Sequence, residues 1–201
     1  VIDDKMPRDL SDISSTLTKV KALRRDMLII SGHSKGAATA ARQIKEMHIQ
    51  VPIIAMTHCE AAKVISKFGS ASDGFLCPTQ WAETLSYSDN LFGAASTYDM
   101  LFKGSFEGYK NVPYQSAQAS AAVMVWKDAF ERANSFDTEK VRGALASTNM
   151  ATFYGNIKFS SAGNNLAKPM VLRQIQKGKL NVVAPSKWAS HPVDYPRSAK
   201  Y

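Results

Sequence analysis

Asp26-Met-Leu-Ile-Ile-Ser31 is followed at once by Gly32-His33-Ser34-Lys35-Gly36, so an apolar run of strand length ends at a glycine turn. This pattern predicts a buried strand, a tight turn and a helix that starts directly after it. In open α/β sheets, ligands bind beyond the carboxyl ends of the strands. We therefore expect His33, Ser34 and Lys35 to face a ligand.

Strands and helices alternate in the first part of the chain. The patterns predict strands at Met27–Ile30, 51–56 and 74–78, and helices at 37–48 and 60–68. An alternation of this kind indicates right-handed βαβ units and a parallel sheet, hence an α/β fold.

The segment before this alternation has weaker signals. Residues 1–6 have the pattern of a short strand. A helical stripe follows, with Asp9 as a candidate N-cap and four apolar residues at helical spacing, Leu10, Ile13, Leu17 and Val20.

After Trp81 the alternation stops. Three helices are predicted in succession, at 90–109, 114–134 and 137–147, the last capped by Asp137. A strand at 153–159 and a hairpin of 170–176 with 180–183 complete the pattern, and the tail from Ser186 is expected to be irregular. The three helices have apolar faces but no sheet of their own to cover, so we expect part of the protein to lie upstream of Val1.

The amino-acid composition and the net charge exclude some classes of function. The 201 residues are 45% apolar and 21% charged, which is typical of a soluble globular protein. The net charge is +8, but the basic residues are spread out, so we expect no nucleic-acid partner. No signal peptide opens the chain at Val1, which predicts either a cytoplasmic protein or a removed targeting segment.

The two cysteines, Cys59 and Cys77, are too few and too far apart for a zinc framework, and neither a metal nor a cofactor is expected. Two buried thiols are the favoured interpretation of this pair. A disulfide between the end of one predicted strand and the next is the alternative.

Gly32-x-Ser34-x-Gly36 also matches the nucleophile elbow of α/β-hydrolases, which makes a serine esterase the alternative function. Asp128 or Asp137 with His191 would complete the triad in the required order. However, too few residues precede Ser34, and both aspartates fall in or at the start of predicted helices. A simpler alternative is that Ser34 caps the following helix.

A set of motifs spread from residue 1 to about residue 184 carries a family resemblance. In chain order they are Asp9-Leu-Ser-Asp12, Asp26-Met-Leu-Ile-Ile-Ser-Gly32, Arg42-Gln43, Pro52-Ile-Ile54, Ser72-Asp-Gly-Phe75, Asp137, Val141-Arg142, Ala144-Leu145, and Gly155-x-Ile157-x-Phe159 with Gly163. The chain resembles the C-terminal half of type I periplasmic solute-binding proteins of ABC importers, the leucine/isoleucine/valine-binding group.

This resemblance implies two α/β lobes with parallel sheets flanked by helices, and a ligand held between the lobes. Residues 1–85 would belong to the second lobe, 86–169 would return to the first lobe, and 170–201 would cross back. The implied protein is a periplasmic, non-enzymatic receptor that works with a membrane permease and with the N-terminal half of the same protein. A ligand-sensing module of the same fold is a further alternative.

The resemblance also implies ligand contacts at His33, Ser34, Thr57, His58 and Trp81. Branched-chain amino-acid binders place a carboxylate for the ligand ammonium where this chain has Thr57. A buried ammonium needs a charged acceptor, so Thr57 favours a carboxylic or aromatic acid over a simple amino acid. Trp81 either stacks on a planar ligand or packs in a core. Ser120 replaces a tyrosine that is common in the family.

Overall fold

The computed structural model describes residues 3–6, 11–168 and 170–197, without the side chains of residues 62 and 63. Its helices are α1 (Ser14–Ala22), α2 (Ser34–Glu46), α3 (Ala62–Phe68), α4 (Ala95–Ser105), α5 (Tyr114–Ala133) and α6 (Thr138–Ala146). Its strands are β1 (Met27–Ile30), β2 (Ile53–Met56), β3 (Phe75–Thr79), β4 (Ser88–Asp89), β5 (Gly93–Ala94), β6 (Asn149–Thr152), β7 (Gly155–Lys158), β8 (Val171–Gln176) and β9 (Lys179–Ala184).

The described residues fall into two units. The sheet unit takes its residues from Val1–Thr79 and Val171–Tyr201, and the helical unit is Gln80–Met170. No helix in the described ranges has the length and apolar character needed to cross a bilayer.

The sheet unit contains a five-stranded sheet in the order β1-β2-β3-β8-β9. The first three strands are parallel, as the alternating pattern predicts, whereas β8 and β9 are antiparallel. The predicted hairpin is confirmed, because Gln176 pairs with Lys179 across the turn residues Lys177 and Gly178, which have φ of 51° and 73°. Two consecutive positive φ values are what a two-residue hairpin turn of the right twist requires.

One face of the sheet packs on α1, α2 and α3. Leu17, Ile44, Ile54, Val64 and Phe75 are fully buried in this core. The expectation that β1 is buried is wrong, since Met27 and Ile29 are 47% and 68% exposed. Met27 and Ile29 alternate with the half-buried Leu28 and Ile30, so they lie on the face of β1 that points away from the core.

The helix starts differ from the predicted ones. α2 begins at Ser34, three residues before the predicted start, and α1 begins at Ser14. The N–H of Ser14 donates to the Asp12 carboxylate at 2.9 Å, and the N–H of Ile13 donates to Oε1 of the buried Gln43 at 2.7 Å. The predicted cap Asp9 lies outside the described residues. The predicted strand at 1–6 is also wrong for residues 3–6, which have no regular structure.

Cys59 and Cys77 form a disulfide, so the favoured interpretation of two thiols is wrong. Cys59 lies just beyond β2 and Cys77 lies in the adjacent strand β3, which brings their Cα atoms to 5.4 Å. This separation is within the range that a disulfide spans. Both side chains are fully buried, so the bond crosses the interior of the sheet unit.

The helical unit is built around aromatic side chains. Phe153, in the turn between β6 and β7, stacks on Tyr98 at 4.0 Å between ring centroids, and Phe92 meets both rings edge-on. The Asp89 carboxylate accepts from the N–H of Phe92 at 2.7 Å and of Phe153 at 2.6 Å. Asp89 therefore joins the start of this unit to its β6–β7 hairpin.

Two predicted elements of the helical unit are corrected. Residues 90–94 form a turn and β5 rather than helix, because the Asp89 side chain satisfies the backbone N–H groups after it and favours a turn. Residues 153–159 are the turn and second strand of a hairpin rather than one strand. The Asp137 cap is confirmed, since its carboxylate accepts from the N–H of Lys140 at 3.0 Å.

The helices of this unit keep exposed apolar faces. Val123, Trp126 and Phe130 of α5 are 68%, 48% and 36% exposed. Within the described residues of Gln80–Met170, the strands form only two-stranded ladders, which are too small to cover α4, α5 and α6. This agrees with the expectation that the helices have no sheet of their own.

The disulfide makes a testable contribution to stability. Replacing Cys59 and Cys77 by Ala is expected to lower the free energy of unfolding by about 3 kcal/mol, because a cross-link of this loop length restricts the unfolded chain. Urea unfolding with and without a reductant measures the effect.

These two cysteines are the only ones in the chain, so the reductant has no other target. The double-alanine variant is the control, and its unfolding is expected to be unaffected by reductant. An unfolding midpoint of the parent chain that does not change on reduction would contradict the prediction.

Candidate functional site

The carboxyl ends of β1 and β2 lie side by side, since Ile30 and Met56 are register partners. The turns after the two strands are joined by Thr57. Its hydroxyl accepts from the N–H of Gly32 at 2.8 Å and donates to the carbonyl of Gly32 at 2.7 Å, and the N–H of Thr57 donates to Ile30 at 3.1 Å. Thr57 thus fixes the turn that carries His33 and Ser34.

Two imidazole rings meet at this edge. The rings of His33 and His58 are 6.1 Å apart between centroids and tilted by 34°. His33 is exposed and His58 is half-buried. His58 has a left-handed backbone with φ of 61°, which is uncommon outside glycine and carries a strain cost. Its neighbour Cys59 is held by the disulfide, so this turn is anchored where it is strained.

The start of α2 adds positive character to the edge. His33 is the N-cap residue and Ser34 the first helical residue, with no side-chain cap hydrogen bond, so the interpretation of Ser34 as a cap is wrong. The free N–H groups of a first turn and the helix dipole favour an anion. No acidic residue lies in the first turn, and Ser34 and Lys35 are both exposed.

Glu60 is a candidate site residue that the sequence analysis missed. Burial raises the pKa of its carboxyl, and a hydrogen bond from its own backbone and the nearby side chains of His58 and Arg173 oppose that shift. Within the described residues, its Oε2 is buried without a hydrogen-bond partner. The only signal in the sequence is an acidic residue three positions after Thr57, and burial is not visible at that level.

Trp81 belongs to the helical unit and is 1% exposed. Its Nε1 donates to the carbonyl of Phe153 at 3.1 Å, and its ring meets Tyr98 and Phe153 edge-on. This placement matches the core-packing alternative. Stacking of Trp81 on a ligand stays a prediction. Ser120, the other departure in this unit, has its Oγ 2.9 Å from the Tyr98 hydroxyl.

The side chains of the alternative hydrolase triad have other partners. Asp128 pairs with Arg132 at 2.7 Å, Asp137 caps α6, and Nδ1 of His191 lies 3.1 Å from the Ser190 hydroxyl. Among the side chains described here, no histidine hydrogen-bonds to Ser34. In the same part of the chain, no three His, Cys, Asp or Glu residues gather as metal ligands would.

Several solved structures of transport-related binding proteins are similar to this chain in fold. The chain is similar to the leucine-binding protein LivK of Thermotoga maritima, with 25% identity, a TM-score of 0.75, and coverage of 87% of this chain and 48% of that one. It is also similar to a putative branched-chain amino acid ABC transporter of Silicibacter pomeroyi, with 17% identity, a TM-score of 0.70 and coverage of 92% and 51%.

A third structure is an ABC transporter solute-binding protein of R. palustris in complex with benzoate, with 18% identity, a TM-score of 0.66 and coverage of 92% and 48%. The chain therefore spans about half the length of the structures that it matches. The model of the periplasmic binding protein family matches residues 1–179. The motifs, the fold and this match agree: the chain belongs to the periplasmic binding protein family and has the α/β fold of its type I members.

Proposed function

We propose that this chain belongs to the extracytoplasmic receptor of an ABC importer and captures a small organic ligand at the carboxyl edge of β1 and β2. The observation that carries the proposal is the double hydrogen bond of Thr57 to Gly32, which fixes the exposed turn of His33 and Ser34. Family membership supports it, because members of this family bind solutes and are not enzymes.

The chemistry of the edge favours an acid as the ligand. The first turn of α2, the imidazoles of His33 and His58 and the ammonium of Lys35 all suit a negative or polar group. Thr57 offers only a hydroxyl, and the carboxyl of Glu60 has a raised pKa. A carboxylic or aromatic acid therefore fits better than a simple α-amino acid. The benzoate complex of the R. palustris protein is a precedent for this ligand class.

The transport role extends the same proposal to the whole protein. Residues 1–85 and 170–201 would form most of the second lobe, and 86–169 would complete the first lobe with the N-terminal half. A ligand that contacts both lobes favours the closed form, which is then presented to the permease. Trp81 would contact a ligand only if its ring became accessible, so we place it last among the proposed contacts.

Ligand-induced stabilisation of the full-length protein tests the proposal. We expect benzoate to raise the unfolding temperature more than leucine or benzamide does, because the edge of β1 and β2 offers groups that suit a carboxylate and Thr57 offers no charge for an ammonium. A ligand at 100 times its Kd stabilises the native state by about 2.7 kcal/mol. Stabilisation by leucine alone would contradict the preference for an acid that we infer from Thr57. Hydrolysis of a generic ester that is lost in the Ser34→Ala variant would contradict the proposed receptor function.

The Thr57 hydroxyl provides the matched pair of variants. Thr57→Val is expected to weaken ligand binding about tenfold, since both hydrogen bonds to Gly32 are lost and the turn is no longer fixed. Thr57→Ser keeps the hydroxyl and is expected to bind nearly as well as the parent. Isothermal titration calorimetry measures both, and equal affinity of the valine variant and the parent would argue against the site.

Glu60 gives a pH-dependent test. Because its folded-state pKa is raised, the native state holds more protons than the unfolded state, so this group lowers stability as pH rises through and above its ordinary range. Glu60→Gln is expected to stabilise the protein at neutral pH, with the gain disappearing at pH values below that range. Urea unfolding at pH 3 and pH 7 measures this, and a gain of equal size at both pH values would contradict the burial argument.

A further inference from the structure

The disulfide between Cys59 and Cys77 lies next to the proposed ligand edge. Cys59 follows His58 directly, and the imidazole of His58 lies 6.1 Å from that of His33 between ring centroids. Both cysteines are fully buried, whereas His33 is exposed and His58 is half-buried. The bond is therefore interior to the turn that carries His58, and it can act on a ligand only through that turn.

The backbone pairing between β2 and β3 is short near this turn. Within the described residues, the parallel register joins Ile54 to Phe75 and Ala55 to Leu76. Cys77 comes next in β3, and Pro78 after it has no N–H to donate to a ladder. The disulfide therefore continues the connection between the turn after β2 and strand β3 beyond these register pairs.

The backbone of the turn is strained at His58, which has φ of 61°. On one side of His58, the Thr57 hydroxyl is hydrogen-bonded to Gly32. On the other side, the N–H of Ala61 donates to the carbonyl of His58 at 3.2 Å, and the disulfide fixes Cys59 covalently. A strained conformation persists only where its surroundings determine it. The covalent restraint on Cys59 therefore favours the observed position of the His58 imidazole.

Strand β3 is a firm anchor for the other end of the disulfide. It is the central strand of the five-stranded sheet, between β2 and β8. Cys77 is the register partner of the buried Arg173, and Thr79 is that of Val171. Side chains supported by regular strands are placed more precisely than those supported by loops. The bond thus refers the position of the His58 turn to the centre of the sheet.

We propose that the disulfide positions the His58 imidazole for the ligand, so that Cys59 and Cys77 are positioning residues of the site although neither contacts the ligand. This inference rests on the proposed function and deepens it. With the bond intact, the turn has its binding conformation before the ligand arrives. Without it, the backbone at His58 relaxes in most molecules, and the apparent affinity falls in proportion to the fraction that keeps the binding conformation.

Calorimetry on the full-length protein separates positioning from stability. The ligand is benzoate, or leucine if the parent binds leucine instead. A variant with Cys59→Ala and Cys77→Ala is compared with Leu17→Ala, which removes a fully buried side chain of α1 from the same core and is also destabilising. Both are measured at a temperature at which they are folded.

We expect the cysteine variant to bind about tenfold more weakly than the parent, because about a tenth of its molecules keep the binding conformation. Leu17→Ala is expected to bind as the parent does, because lower stability alone does not change the affinity of the folded protein.

A double-mutant cycle with His58→Ala tests the route of the effect. In the His58→Ala background, removal of the disulfide is expected to change the affinity less than about twofold, because the imidazole that the bond positions is already absent. Equal losses in the two backgrounds would show that the disulfide acts on the site by another route, and this would overturn the proposal.

NMR of the imidazole nitrogens gives a second measurement that needs neither a substitution nor a ligand. The parent is unfolded in urea with a reductant and refolded in the same reductant, because the bond is buried in the folded state. Reduction is expected to shift the His58 resonances and to leave those of His48 and His191 unchanged. The cysteine variant is expected to show the same shift. Failure of both proteins to fold would assign the bond to folding and overturn the proposal.

The proposal is also overturned if the cysteine variant binds as tightly as the parent, if Leu17→Ala loses as much affinity, or if the His58 resonances do not move. Binding by the parent leaves the proposed receptor function intact in each of these cases. Failure of both benzoate and leucine to bind the parent is a different result, which would contradict the proposed function and this inference with it.

Discussion

The antiparallel pairing of β3 with β8 is the constraint on which the rest of this architecture depends. Thr79 and Val171 are register partners, so the chain leaves the sheet unit and re-enters it at one point. Gln174 of β8 is buried, and its amide donates to Gly74 at 3.3 Å and to Asp194 at 3.0 Å. The pairing thereby brings together the two ends of the segment between Thr79 and Val171, and the hydrogen bond to Asp194 holds the C-terminal tail against the sheet. It leaves the carboxyl ends of β1 and β2 free to form a site.

Two ionisable side chains of the protein, Glu60 and Lys168, are buried with only partial compensation of their charge. At the edge of β1 and β2, the carboxyl of Glu60 has a raised pKa beside His58 and Arg173, and in the helical unit Lys168 has a lowered pKa over Tyr154. In each case burial disfavours the charged form, which is a cost to folding.

Sequence patterns predicted those elements whose signals are local. β1 (Met27–Ile30) matches its predicted bounds because it is a short apolar run bounded by turn residues, and Asp137 caps α6 because that bond involves only neighbouring residues. The turn after β1 was predicted for the same reason. The ligand contacts proposed from the family resemblance, His33 and Thr57 above all, stay predictions.

Features that depend on distant residues were missed or misjudged. The disulfide needs the register of β2 against β3, and the exposure of Ile29 depends on which face of the sheet the helices cover. The turn at 90–94 depends on Asp89, which also binds the distant Phe153. Lys168 is ordinary in sequence, and only its burial over the Tyr154 ring distinguishes it.

Histidine-selective NMR tests the central claim, that the edge of β1 and β2 holds the ligand, most directly. The chain has four histidines, and His48 and His191 act as internal controls for His33 and His58. The full-length protein, labelled at the imidazole nitrogens, is titrated with benzoate and with leucine. The account predicts that the compound that binds shifts the His33 and His58 resonances and leaves those of His48 and His191 unchanged. Binding detected by calorimetry with no change at His33 or His58 would contradict it.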